Sequence, residues 1–316
     1  MTGARGVPPV ASPRAKTFVV CAMGWFACLM SFASVTFFTC AGVARAAPTR
    51  IVSLAPNLTE ILHAVGAGAQ VVGVTDHCDF PAEAKLKPKV GSFSFPSLET
   101  IVSLKPDLVV ATEGNNREAV ARLRAGVLGK ADVLEVNPQR VRDIAGVIRM
   151  LGARVGHGPE AEKVASQVEA ALAQAGATPP KNRRALVLLQ GDPFISVSDA
   201  TWIGDAFRAA GYVNVVGDSK IPYPVVSEEF LLAKPPQIVF AMHEIDTAAL
   251  RSRFARFAGK GLAGVPVVSL PPDVFVRPGP RLVQAFAFLA AHKSGANAGG
   301  VETARPTARP SARPSK

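Results

Sequence analysis

From Arg50 onward the chain alternates short apolar runs with segments whose apolar positions recur every three or four residues. The runs predict strands and the periodic segments predict amphipathic helices. IVSLA is the first strand, and Asn57 with Glu60 three residues on has the spacing of a capping box for the helix behind it. Gly66 and Gly68 end that helix, and VVGVT is the second strand. Ser97 caps ETIVSLK, Pro106 stops it, and DLVVAT is a buried strand. Helix 117–128, strand ADVLEV and helix 141–155 follow. An unbroken helix is predicted over 159–176. The pattern then resumes with RALVLLQ, a helix over 201–210, VNVVG, EEFLLAK, QIVFAM, VPVVSL and a last helix RLVQAFAFLAAH.

Strand–helix alternation of this kind predicts an α/β fold of mostly parallel sheets. Two such stretches flank one helix, so the expected architecture is two Rossmann-like lobes joined by a single long helix, with a ligand cleft between them. The expected division is a signal peptide at 1–46, an N-terminal lobe at 47–157, a connecting helix at 158–178, a C-terminal lobe at 179–292 and a disordered basic tail at 293–316. An internal repeat supports two lobes. Ser97-Leu98-Glu99 matches Ser227-Glu228-Glu229, Pro106 matches Pro236, and 108–111 matches 238–241, all at a constant offset of 130.

The ends of the chain change the reading of its charge. Residues 1–16 are basic, an apolar run covers 17–43, and Ala44-Arg45-Ala46 follows. That order is a secretory signal cut before Ala47, which predicts an exported protein. The apolar run is also long enough to span a bilayer, so a retained, membrane-anchored form is the alternative. Cys21, Cys28 and Cys40 fall in this leader, and cleavage leaves Cys78 alone, with no internal disulfide. The mature chain of about 270 residues must then be held by core burial, as two domains of ordinary size. The tail is built on Ala-Arg-Pro repeats, too poor in apolar residues to order itself. The leader and the tail each carry four net positive charges, leaving three of the total of +11 to the folded part. This is no nucleic-acid footprint, which clusters basic residues on one face.

No G-x-S-x-G elbow, P-loop, H-E-x-x-H or strand-linked G-x-G-x-x-G occurs. Nothing positive supports an enzyme, and no intrinsic cofactor is expected. His77 follows the second strand in a loop that should face the cleft, and His243 ends a strand of the second lobe. With Glu113 or Glu244 these could supply a bare metal site, but no spacing demands it.

RIVSLAPNLTEILHAVGAG, VVGVTDHCDFP, VGSFSFPSLETIVSLKPDLVVAT and IPYPVVSEEFL resemble the periplasmic substrate-binding proteins of vitamin B12 and iron-complex ABC importers. The resemblance runs from about Arg50 to Ala291. TDHCDFP and IPYPVVSEE are more similar to the cobalamin branch. The resemblance implies capture of cobalamin between the lobes and delivery to an importer's permease and ATPase complex, by a monomer. A haem or ferric-siderophore binder on the same fold is the alternative, and a periplasmic enzyme or scaffold on these lobes is a third reading. The positions that match corrin contacts are His77, Phe93, Tyr223 and Phe275. Thr112 stands where that branch has an aromatic. Phe194, after a strand of the second lobe, is a further cleft candidate. His77 has three uses open to it: stacking, donating a hydrogen bond, or acting as axial ligand to a bound corrinoid cobalt. A solvated loop histidine is the plainer alternative. Glu99 and Glu229 open the repeated helices. The resemblance implies that they dock on permease arginines, a role compatible with simple compensation of the helix dipole.

Overall fold

The computed structural model describes residues 47–293, apart from 128, 130, 179–181 and 272. The predicted signal peptide, its three cysteines and the tail beyond Lys293 lie outside the described residues.

The N-terminal lobe runs β1 (Ile51–Ser53), α1 (Pro56–Ala64), β2 (Val71–Val74), α2 (Ala82–Lys85), α3 (Leu98–Ser103), β3 (Leu108–Ala111), α4 (Arg117–Arg122), β4 (Asp132–Glu135) and α5 (Asp143–Arg154). Its four strands are parallel, in the order β2-β1-β3-β4. The two central strands are buried at every position. That is why they read as unbroken apolar runs: a parallel sheet is covered on both faces.

Two expectations need correction here. The Asn57–Glu60 capping box does not form. The helix begins at Pro56, whose missing N–H costs nothing at a helix start, and Ala55 precedes it without a side-chain cap. The helix expected over 117–128 ends at Arg122 and passes into a wider turn over Leu123–Val127. Gly126 sits there at φ 102°, a conformation that only glycine adopts freely.

α6 (Gly158–Ala177) joins the lobes and packs on α5 and on the last helix of the chain. Its buried face is small: Ala161, Ala165, Val168 and Ala175. A Cβ added to Gly152 of α5 would stand 2.1 Å from the Cβ of Ala161, so the two helices touch through backbone.

The C-terminal lobe runs β5 (Arg183–Gly191), β6 (Phe194–Ser196), α7 (Trp202–Ala209), β7 (Tyr212–Asn214), α8 (Glu228–Ala233), β8 (Ile238–Ala241), α9 (Thr247–Ala255), β9 (Val267–Ser269) and α10 (Leu282–Ala291). β8 lies between β5 and β9, all parallel. Along the other edge of β5, β7 pairs parallel with its start and β6 antiparallel with its end. Lys293, assigned to the tail on sequence, is buried. Its ammonium bonds the carbonyls of Ala175 and Thr178 at 2.5 and 2.6 Å and so caps the end of α6, where a cation suits the helix dipole.

The repeat offset of 130 is visible in the structure. Ser97 Oγ accepts from the Thr100 N–H, and Ser227 Oγ from the Phe230 N–H. Asn116 and Asp246 cap α4 and α9 in the same way. β3 and β8 are both central and wholly buried.

Candidate ligand cleft

Each strand of a parallel sheet ends on the same side, and ligands gather outside those ends. In the N-terminal lobe the loops at that side are 75–81 after β2, 112–116 after β3, and the nearby turn 91–96. The Asp76 N–H bonds the Gly91 carbonyl at 3.0 Å, linking the first loop to the turn, and one buried side chain, Asn115, links the turn to the loop after β3. Its amide donates to the carbonyls of Leu54 and Phe93, each at 2.8 Å, and its Oδ1 accepts from the Thr112 N–H at 2.9 Å. The Phe93 ring lies over Gly114, where a Cβ would come within 2.7 Å of it. Phe93 and Thr112 are therefore brought into one corner.

The lobes meet through charge. Arg277, in the loop after β9, reaches Glu60 of α1 at 3.2 Å, Asp79 of the 75–81 loop at 2.6 Å, and Asp273 in its own loop at 3.2 Å. Arg281 grips both oxygens of Glu60, at 2.6 and 2.9 Å, and lays its guanidinium 4.5 Å over the Phe80 ring. Burial opposes the charge on Asp79, but the hydrogen bond and charge of Arg277 outweigh it and hold the carboxyl below its usual range. Burial likewise opposes the charge on Arg277, and Asp79 and Asp273 outweigh it in turn. A second tie joins Asp205 of α7 to the Val141 N–H at 2.9 Å and to Arg140 at 3.3 Å.

A periplasmic binding protein family model matches residues 51–258. The chain belongs to that family. The vitamin B12-binding protein of Pectobacterium atrosepticum is 30% identical over 250 residues, 77% of this chain and 87% of that protein. The periplasmic vitamin B12 binding protein BtuF of Vibrio cholerae superposes with a TM-score of 0.66 at 28% identity, covering 78% of this chain and 97% of BtuF. The periplasmic heme-binding protein BhuT in complex with two hemes gives 0.66 at 25% identity, covering 79% and 99%. The two-lobed α/β reading is that of these neighbours.

Within this periplasmic binding protein the predicted site residues separate. His77 is exposed in the loop after β2, and Tyr223 is 53% exposed in the segment before α8. Phe93 and Thr112 are half-buried in the Asn115 corner. Phe275 and Phe194 are corrected: neither presents surface to a cleft. Phe275 is wholly buried and packs on Phe207 and Phe288, in an aromatic core with Phe240. Phe194 is the first residue of β6, tucked against Phe254. Both follow strands, but their loops turn the rings inward. His243 is exposed and lies 3.2 Å from Glu244, while Glu113 bonds Asn137. Among the described residues no three His, Cys, Asp or Glu side chains are grouped to hold a metal ion.

The sequence reading missed other apolar groups on these loops: Phe80, Phe95 (77% exposed), Ile221, Val225 and Val276. Their signal was available in Phe-Pro at 95–96 and in Ile-Pro-Tyr-Pro at 221–224, since large apolar side chains in proline-bound loops rarely reach a core. Arg277 and Arg281 gave no signal, because a lone arginine has no pattern. Glu99 and Glu229 are exposed in the first turns of α3 and α8. Its own backbone N–H, and then Ser227, hold the Glu229 carboxyl below its usual range.

Proposed function

We propose that this binding protein is exported to the periplasm, captures cobalamin between its lobes and delivers it to the permease and ATPase of an ABC importer, with no catalysis of its own. Lobes at 47–157 and 179–292, joined by a helix at 158–178, act as a monomer. Glu99 and Glu229 are the permease contacts. His77, Phe93, Thr112 and Tyr223 line the cleft, joined by Phe80, Phe95, Ile221 and Val276.

One observation carries the choice of ligand. Arg277 and Arg281, two cations where the lobes meet, face three carboxylates, Glu60, Asp79 and Asp273. Their charge is spent within the protein. Around them the loops expose Phe80, Phe95, Ile221, Tyr223 and Val276, which suits a ring with apolar faces. Haem carries propionates and a ferric siderophore is commonly anionic, and neither is met by Arg277 or Arg281, which already face Glu60, Asp79 and Asp273. The relatives named for vitamin B12 point the same way. The His77 imidazole supplies a stacking face, a hydrogen-bond donor or an axial ligand to the cargo's cobalt.

Calorimetric titration with cyanocobalamin, haemin, a ferric siderophore and zinc tests the reading. Cyanocobalamin should bind tighter than about 1 μM, roughly −8 kcal/mol. Heat with haemin or siderophore but none with cyanocobalamin would overturn the choice. In the same series, His77→Ala should alter the visible spectrum of bound aquocobalamin if the imidazole is axial. Identical spectra would reduce His77 to a wall contact.

A further inference from the structure

Position for position, the two halves of the repeat hold their docking helices by different chemistry. In the C-terminal lobe Glu228, in the first turn of α8, meets Arg253 of α9 at 2.5 Å. In the N-terminal lobe the residues 130 positions earlier are Leu98 and Leu123. Leu123 is buried, and Leu98 packs against the same apolar cluster. An ion pair in one lobe thus stands where the other has apolar packing.

Arg253 does more than pair with Glu228. Its Nη1 donates to the Gly191 carbonyl at 3.3 Å and lies 3.5 Å from Asp192, in the turn between β5 and β6. Its guanidinium stacks 4.1 Å over the Phe194 ring, the first residue of β6. β6 in turn carries the segment 221–226 along its edge: Ser196 and Ser198 donate to the carbonyls of Pro224 and Pro222, and Val226 donates to Phe194, each at 2.9 Å. That segment holds Tyr223 and runs directly into Ser227, the cap of α8. The 221–226 segment is thus held to β6 by backbone bonds, while the start of α8 is tied to the β5–β6 turn through Glu228 and Arg253, with Arg256 a more distant partner of Glu228 at 3.8 Å.

We propose that Arg253 is the positioning residue that holds the α8 N-terminus, and with it Glu229, in the orientation the importer recognises, by tying Glu228 to the β5–β6 turn beside the cleft. The inference rests on the delivery reading above. It has no counterpart in the N-terminal lobe, so the two docking contacts differ: the first is set by apolar packing, the second by a charge pair shared with the cleft wall. Arg253 touches neither ligand nor importer in this scheme. It acts through Glu228 and the turn.

The test compares Arg253→Leu, Arg253→Lys and the double variant Glu228→Leu/Arg253→Leu, which transplants the apolar pair of the N-terminal lobe. Each full-length protein is titrated against the cognate importer in lipid nanodiscs, and against cyanocobalamin in parallel. Removing one member of a contacting pair typically changes a coupled equilibrium by about tenfold. Arg253→Leu should weaken importer binding by about that factor while cyanocobalamin affinity stays within about threefold. The double leucine variant should recover importer affinity, and Arg253→Lys should fall between. Amide exchange at Phe230, whose N–H caps on Ser227, should rise in Arg253→Leu and return in the double variant. If Arg253→Leu docks like wild type, or the double variant stays as weak as the single, the positioning role is wrong. Normal docking by Glu99→Ala/Glu229→Ala would instead remove the delivery reading on which the role depends, and it is read on a separate variant.

Discussion

Glu60 sets one carboxylate against two guanidinium groups while only 2% of its side chain meets solvent. A buried ion pair is poor evidence of net stability, because desolvation offsets the attraction. Deleting one partner is another matter. Glu60→Ala would leave Arg281 with the Phe80 ring alone to face, while Arg277 keeps Asp79 and Asp273. We expect a loss of about 3 kcal/mol, measured by urea unfolding, against less than about 0.5 kcal/mol for Glu99→Ala at an exposed helix start. An equal, small effect of both would show that the charge cluster is dispensable. The case also marks what a sequence can disclose. Asn57 and Glu60 have capping-box spacing, and nothing local separates that use from the observed one, since the partners of Glu60 lie 217 and 221 residues away. The same limit explains Phe194 and Phe275. Phe194 follows a strand as expected and Phe275 stands at a matching position, but whether a ring turns to the cleft or the core is decided by what packs behind it.

The capped helices and central strands are settled within a few residues of chain, and these elements were legible. Ser97 and Ser227 cap as expected, and β3 and β8 occupy the buried positions that their apolar runs announce. β6 was not legible, because three residues between a turn and a loop are too few to show a period. Helix contacts fall between these cases. Gly152 interrupts α5 with a residue that ordinarily costs a helix about 1 kcal/mol relative to alanine. On propensity alone Gly152→Ala should stabilise. The structure reverses the sign: the new methyl would sit 2.1 Å from the Ala161 Cβ and 3.0 Å from the His157 carbonyl, neither of which is a flexible side-chain end. Overpacking at such a contact costs about 1–3 kcal/mol. A lower urea midpoint with an unchanged slope is the expected result. A raised midpoint would mean that α5 and α6 separate freely.

Among the described residues the lobes are connected by α6 braced by Lys293 at its end, by the Glu60 cluster with Asn57 on the Pro278 carbonyl beside it, and by Asp205 on Val141 and Arg140. If Glu99 and Glu229 meet two subunits of a permease at once, these ties between the lobes would help to set the spacing of the two contacts. The repeat gives them equivalent places, each in the first turn of a serine-capped helix that leads into a central strand. Exposed helix-end charges contribute little to folding, so Glu99→Ala/Glu229→Ala should leave the melting temperature and cyanocobalamin affinity nearly unchanged. Import should nevertheless fall sharply. Paired contacts act together: once the first engages, the second binds at high effective concentration, so losing both removes the avidity as well as the individual attractions. Each single variant should retain part of the import, and the double should lose more than the two losses combined predict. The measurement is uptake of labelled cyanocobalamin into vesicles carrying the importer, with binding assayed on the same protein preparations. Normal uptake by the double variant would make both glutamates ordinary helix-end charges and place the docking surface elsewhere on the lobes.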